Sequence, residues 1–366
     1  MNRAILINDT TAWYHYGSSC TSLALHAMLR ERFAEVASLT ASRVASLDAL
    51  PGTLDAFDAD ATWAAFREHN ADVVAAIEAT DVVYVNGEGT LHGLGVAAVG
   101  LLYLCRIASI RLSKPVRVIN HSCYPDGSGD GFDASSPAAE LYASVYRDLD
   151  DVAVREPRSA ALLKEMGIEH RQSFDCLPLF VDRFRPRMEN REASSAGRVI
   201  IAGSVAWGQS DIVSQVAAFA RQLAAQGRQP VVLLGAAGFM AADDVAFAAT
   251  LRAEAGDDIE FRFARSEIEW LDEIAASDCV VSGRFHHTIA AAVLRVPFVV
   301  MDSNTPKIPA LLNMLGIDAF ESVQGDSLST RLTDACAARL REPDNWRIDE
   351  ATYERLLALG RANFAA

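Results

Sequence analysis

Short runs of β-branched and apolar residues recur along the chain, each followed by a longer stretch with helical spacing, and this alternation limits the fold more than any other feature. Val199-Ile200-Ile201-Ala202, Val231-Val232-Leu233-Leu234, Ile259-Glu260-Phe261, Cys279-Val280-Val281 and Phe298-Val299-Val300-Met301 read as buried strands. Helical patterns lie between them at about 210–225, 243–255, 266–276, 288–294 and 308–315. The first half repeats the rhythm more loosely, with strands at 4–7, 82–85, 116–119 and 152–154. Such alternation predicts parallel sheets covered by helices on both faces, because a parallel neighbour is reached only through a crossover.

With 366 residues the chain exceeds what one hydrophobic core usually serves. Two Rossmann-like α/β domains with parallel sheets are expected, at 1–186 and 198–348. The polar, aperiodic segment 187–197 (RMENREASSAG) suits a linker between them. A terminal helix within 349–366 is expected, free to cross back to the first domain. The composition, 51% hydrophobic and 22% charged, is globular. A net charge of −15 disfavours nucleic acid and requires that any anionic substrate be held by local arginines. The start shows no export signal, since only Ala4 to Ile7 follow Arg3 as an apolar run. The apolar stretch from Gly95 to Cys105 is about half the ~20 residues a membrane-spanning helix needs, so it reads as a buried helix. A cytoplasmic protein without a transmembrane segment is expected, with peripheral membrane association and oligomeric state left open. The cysteines at 20, 105, 123, 176, 279 and 336 are scattered, which suggests neither a metal cluster nor a disulfide framework.

In open parallel sheets ligands bind beyond the carboxyl ends of the strands, so residues just after each strand are the candidates. Ser282-Gly283-Arg284-Phe285-His286-His287 follows one strand and opens an alanine-rich helix. A helix N-terminus attracts anions, Arg284 offers a rigid fork for phosphate or carboxylate, and His286 or His287 can donate a proton. One of the two histidines, His287 ahead of His286, suits a buttress for the helix. Arg155 sits at another strand end, before Pro157 and Ser159, where Ser159 suits a helix cap. In Asn86-Gly87-Glu88-Gly89-Thr90-Leu91-His92-Gly93, glycines permit close backbone approach, and Glu88 can act as a base with Asn86 and His92 nearby. The loop from Asn8 to Ser22 carries Asn8, Asp9, Trp13 and His15, groups that stack on sugar rings or read hydroxyls, with Asp9 a second candidate base. His121 follows a further strand and suits either the ligand side or a hydrogen-bonded core.

The strand ending Ser-Gly-Arg-Phe-His, the small-residue helix, Val296-Pro297-Phe298-Val299-Val300 and the downstream Lys307 together resemble the polysaccharide pyruvyl transferase family. The strand followed by Arg155-Glu156-Pro157-Arg158-Ser159 and a helix closing at Met166-Gly167 is similar to a second segment of that family. The resemblance implies a GT-B-like pair of domains with an interdomain cleft, the second on the donor side and the first on the acceptor side. It implies that Arg284 and His286 contact phosphoenolpyruvate, with Ser282, Gly283, Lys307 and Arg155 also on the donor. The implied reaction moves pyruvate onto sugar hydroxyls as a ketal, with His286 as acid, Glu88 or Asp9 as base, a carbohydrate or lipid-linked glycan as acceptor, and no cofactor or metal. Three loops depart from the family pattern, at 8–22, 86–93 and 120–125. Those departures keep a second transferase in view, a glycosyltransferase using a CMP-activated keto-sugar acid such as Kdo, and a non-catalytic glycan-binding protein as a third. A dinucleotide oxidoreductase is disfavoured, because neither half opens with a Gly-x-Gly-x-x-Gly turn.

Overall fold

The computed structural model describes residues 2–12, 15–127, 132–189, 197–203, 210–235, 241–256, 259–302, 306–317, 321–322, 324 and 327–365. The chain divides into two compact units. Unit 1 holds Met1–Trp13, Thr21–Cys176 and Leu357–Ala366, and unit 2 holds Tyr14–Cys20 and Leu177–Leu356.

In unit 1, β1 (Arg3–Asp9), β2 (Glu35–Thr40), β3 (Val82–Glu88), β4 (Val116–His121), β5 (Asp151–Val154) and β6 (Arg171–Gln172) pair in parallel, in the order β2-β1-β3-β4-β5-β6. The helices are α1 (Tyr16–Arg30), whose first turn belongs to unit 2, then α2 (Ala41–Ala45), α3 (Asp60–His69), α4 (Ala71–Glu78), α5 (Val96–Arg106), α6 (Pro137–Tyr146) and α7 (Pro157–Glu165). The apolar stretch expected as a buried helix is α5, which sinks Leu101, Leu102, Tyr103 and Leu104 into the core with Ile5, Val83 and Val118. Strands β2 and β6 were not expected. β2 buries only Leu39 and β6 has two half-buried residues, so neither edge strand carries the continuous apolar run that marks a central strand. At α7 the cap is Glu156, whose carboxylate accepts the N–H groups of Arg158 and Ser159. Ser159, expected as the cap, instead uses its hydroxyl to accept Cys123 N–H at 2.7 Å.

Unit 2 contains α8 (Leu177–Glu189), β7 (Arg198–Ala202), α9 (Ser210–Ala225), β8 (Gln229–Leu234), α10 (Ala241–Ala255), β9 (Glu260–Phe263), α11 (Glu267–Ala275), β10 (Cys279–Ser282), α12 (Phe285–Val293), β11 (Phe298–Val300), α13 (Lys307–Leu315), α14 (Leu328–Arg341) and the first half of α15 (Glu350–Ala362), whose residues from Leu357 on belong to unit 1. The strands form a parallel sheet in the order β11-β10-β7-β8-β9. Its core gathers Val199, Ile201, Val232, Val281 and Val299 under α9 and α14, the latter helix not anticipated. The units divide between Cys176 and Leu177, ahead of the polar segment 187–197, because α8 packs on α11 and α12. Residues 190–196 of that segment lie outside the described residues. α12 begins at Phe285, one turn before the helix expected from Thr288, which brings both histidines into the helix. Among the described residues no helix is long and apolar enough to cross a membrane. The six cysteines are buried.

The strand order sets where each sheet can hold a ligand. In unit 1 the chain leaves β1 to opposite sides, for β2 and for β3, so the topological switch lies between β1 and β3. In unit 2 it lies between β7 and β10.

The last residues of the chain are built into unit 1. Asn363 Oδ1 accepts Asn120 N–H at 2.7 Å, while its Nδ2 donates to Phe174 O at 2.8 Å and Gly360 O at 2.9 Å. All of these atoms are buried, so Asn363→Ala should destabilise the protein by about 1–3 kcal/mol through the polar groups it leaves without partners. A fall in the urea midpoint with unchanged slope would record that loss.

Candidate functional site

The switch point of unit 2 is built from the turn after β10. Ser282 Oγ accepts Arg284 N–H at 3.0 Å, Gly283 N–H donates to Gly203 O at 3.3 Å, and Thr288 Oγ1 donates to Arg284 O at 3.2 Å. Ser282 and Gly283 are buried and shape this turn. It delivers Arg284 as the N-cap residue of α12, so the positive end of the helix dipole lies beside Arg284 and His286.

Both of these side chains are half-buried. The guanidinium of Arg284 lies on Gly203, the first residue past β7: a Cβ built there would stand 2.8 Å from Nη2. Nη1 is 3.2 Å from His15 Nδ1. A guanidinium only donates, so His15 Nδ1 is the acceptor, and a neutral His15 carries its proton on Nε2. His286 packs on Gly17, where a Cβ would lie 2.2 Å from His286 Cβ, and its Nδ1 is 3.4 Å from Ser18 Oγ. The structure thus brings together the expected Arg284, His286 and His15. It adds Gly17, Ser18 and Gly203, of which Gly203 was legible as the glycine that ends a strand.

His287 belongs to the core. Trp270 Nε1 donates to His287 Nε2 at 3.0 Å, with the rings edge to face at 5.0 Å. Since Nε2 accepts, the ring is neutral, and burial with the nearby charge of Arg284 pushes its pKa well below the ordinary value. Lys307 opens α13 beyond β11 and is half-buried. Trp13 lies outside the described residues.

At the carboxyl edge of unit 1 most of the expected residues are occupied with one another. Asn8 Nδ2 donates to Asn86 O at 2.7 Å and to Thr90 Oγ1 at 3.0 Å. Asn86 answers through Asn8 O at 3.2 Å and receives Asn120 Nδ2 at 2.9 Å. Asn8, Glu88 and Asn120 all have positive φ, at 65°, 34° and 53°, so three neighbouring strands are kinked at or next to their last residue.

Asp9, expected as a base, is held ionised. Burial acts to raise its pKa, but His26 Nε2 at 2.8 Å and the Thr11 hydroxyl at 2.6 Å outweigh it and keep the carboxyl well below its usual range. Such a carboxylate is a poor proton acceptor. Glu88 is 5% exposed and accepts from the Thr10 hydroxyl at 3.2 Å. His92 is half-buried and bridges to Tyr124.

Arg155, expected on the donor, is sealed inside unit 1 at 1% exposure. Its Nη1 is 2.6 Å from Asp175 Oδ2 and its Nε donates to Ser122 Oγ at 2.8 Å. Asp175 also accepts from the Thr21 hydroxyl at 2.9 Å. The guanidinium therefore neutralises a buried carboxylate, and its removal would strand that charge. His121 is likewise buried, 2.8 Å from Tyr146 Oη and packed so closely on Gly87 that a Cβ there would lie 2.7 Å from its ring. Burial, with the charge of Arg155, pushes its pKa down to about 3.

The polysaccharide pyruvyl transferase family model matches residues 10–305, which includes every strand after β1 and the Arg284 turn. The chain belongs to the polysaccharide pyruvyl transferase family. A search of curated proteins finds no match. Among solved structures, this pyruvyl transferase family member is similar to the UDP-GlcNAc 2-epimerase from Methanocaldococcus jannaschii, with a TM-score of 0.60, 12% identity, and 98% of this chain and 99% of that chain covered. It is also similar to the UDP-GlcNAc 2-epimerase from Neisseria meningitidis, bound to UDP-GlcNAc, with a TM-score of 0.59, 10% identity and coverage of 99% and 97%. Anabaena HepE in complex with UDP matches with a TM-score of 0.52, 13% identity and coverage of 100% and 96%. These likenesses establish the GT-B-like α/β fold.

The buried histidines give the protein a defined acid sensitivity. His121 stays neutral in the native state down to about pH 3, whereas the unfolded chain takes up a proton below the ordinary 6.5. Its contribution to stability is therefore complete above pH 6.5 and is lost as pH falls toward 3; His287 acts in the same direction. Urea unfolding followed from pH 7 to 4 should show stability falling with acid, and His121→Gln should flatten that slope by about one proton.

Proposed function

We propose that this transferase moves the pyruvyl group of phosphoenolpyruvate onto two hydroxyls of a sugar, forming a ketal and releasing phosphate. The observation that carries the reading is the pairing of Arg284 with His286 at the N-terminus of α12, on the switch point of the unit 2 sheet, together with membership of the family. A fork of N–H donors beside a positive helix end suits the carboxylate and phosphate of a three-carbon acid.

The chemistry balances without a cofactor. The imidazole of His286 delivers a proton to the methylene carbon, and one sugar hydroxyl bonds to the adjacent carbon as its proton departs. The bond from that carbon to phosphate then breaks, and a second hydroxyl closes the ketal, its proton leaving with phosphate. Arg284 and the helix dipole stabilise the charge that grows on the leaving phosphate, a contribution of about 3 kcal/mol per donor removed in comparable sites. His15, by accepting from Arg284, holds the fork in one orientation. The proton of the attacking hydroxyl passes to solvent, and Asp9, already committed to His26 and Thr11, is a poor acceptor for it.

A second reading is a glycosyltransferase with a nucleotide-activated donor, CMP-Kdo among them. It is favoured by the similarity to HepE, a protein seen in complex with UDP. Mass spectrometry of an acceptor glycan incubated with phosphoenolpyruvate or with CMP-Kdo separates the two, because one adds a three-carbon acid and the other an eight-carbon sugar.

Under the first reading, His286→Asn should lower kcat by about 10²–10⁴-fold at a nearly constant KM. Arg284→Lys should lower kcat/KM by at least about 100-fold, since an ammonium cannot reproduce a two-pronged grip. Both are read by phosphate release. Gly17→Ala forces His286 out of place and should cost turnover on the order of 100-fold although no reacting group is removed. Activity of Gly17→Ala equal to wild type would remove His286 from the mechanism.

A further inference from the structure

The carboxyl edge of the unit 2 sheet is lined by small residues and then covered by the chain itself. Gly203 follows β7, Gly235 follows β8 and Ala264 follows β9. Small residues in these places are what a ligand needs to lie flat against strand ends. The guanidinium of Arg284 fills the space over Gly203. Over Gly235 lies the ring of Tyr16, the first residue of α1: a Cβ built on Gly235 would stand 2.8 Å from Tyr16 Cδ2 and 3.2 Å from Ala264 Cβ. Tyr16 is 9% exposed, so its ring is packed against the end of β8 and is not lying loosely on the surface.

The same turn of α1 satisfies the polar groups around this position. Ser19 Oγ donates to Glu267 Oε1 at 2.5 Å, at the start of α11. His15 takes Arg284 Nη1 at 3.2 Å, and Ser18 stands 3.4 Å from His286 Nδ1. An aromatic ring seated on a strand end, with a hydroxyl beside it meeting a carboxylate, is the set of contacts a nucleoside would otherwise make. Glu267 and Glu269 near the Tyr16 phenol also raise its pKa, after burial, and they would repel a diphosphate at the same spot.

We propose that the first turn of α1 occupies the surface on which a nucleoside would lie at the carboxyl edge of the unit 2 sheet, with Tyr16 as the residue that excludes nucleotide donors. Among the described residues, the edge then keeps the crevice between β7 and β10, whose Arg284 and His286 fit a small non-nucleotide acid. This deepens the phosphoenolpyruvate reading and rests on it for the identity of that acid.

The test is isothermal titration of UDP and CMP into wild type, Tyr16→Phe and Tyr16→Ala. Wild type and Tyr16→Phe should bind neither nucleotide at millimolar concentration, while Tyr16→Ala should bind at least one with an affinity about tenfold or more higher. Nucleotide binding by wild type as tight as by Tyr16→Ala overturns the proposal, as does failure of a folded Tyr16→Ala to bind either. If Tyr16→Ala does not fold, Tyr16→Val, which removes the ring and leaves only a small apolar group, carries the same expectation. Phosphate release from phosphoenolpyruvate by wild type is measured alongside. Its absence, with nucleotides still excluded, sinks the donor assignment and leaves the exclusion standing; its presence together with UDP binding sinks the exclusion alone.

Discussion

Parallel pairing throughout both sheets is the constraint on which everything else depends. Because every strand of the two sheets points the same way as its neighbours, each sheet collects its strand ends and the N-termini of its crossover helices along one edge. Positive helix ends and kinked strand ends gather there whatever the chemistry is to be. The reversal of strand order between β7 and β10 then opens the place where a side chain such as Arg284 can stand between two crossovers.

The two edges use this arrangement in opposite ways. At unit 2 the turn after β10 leaves Arg284 and His286 half-buried, supported by His15 and Ser18 and admitted by Gly17 and Gly203, which have no side chain to block them. At unit 1 the same kind of position is spent on internal bonding. Asn8, Asn86, Asn120 and Asn363 form a buried amide chain, Asp9 is locked to His26, and Arg155 is locked to Asp175. A buried ion pair such as Arg155–Asp175 adds little net stability over an apolar pair but is costly to break, so it fixes the local arrangement more than it strengthens it.

Much of the architecture was legible because central strands of parallel sheets are buried on both faces and must be apolar without interruption. Val199–Ala202, Val231–Leu234 and Val82–Val85 could hardly be anything else. The edge strands Glu35–Thr40 and Arg171–Gln172 escaped because they face water on one side and carry no such run. The Arg284 to His286 segment was legible for a related reason: a strand, a tight Gly turn and a helix start follow one another directly in sequence. Arg155 and Asp9 occupy equally suggestive strand ends, and their burial was not legible; for His121 a core place was one of two readings, and its partner was not legible. Their partners Asp175, His26 and Tyr146 stand 20, 17 and 25 residues away, and nothing in the local sequence records the pairing.

The sequence by itself determined the α/β class, the parallel sheets and the presence of an arginine and an imidazole at a helix start, because each of these is written in adjacent residues. Only the tertiary structure decided which strand-end groups meet a ligand and which meet each other, because that depends on what the fold folds over them. Tyr16 and Gly235 illustrate the point. One opens the first helix and the other follows the eighth strand, and their contact, which decides how much of the edge stays open, exists only once chain segments far apart in sequence are packed together.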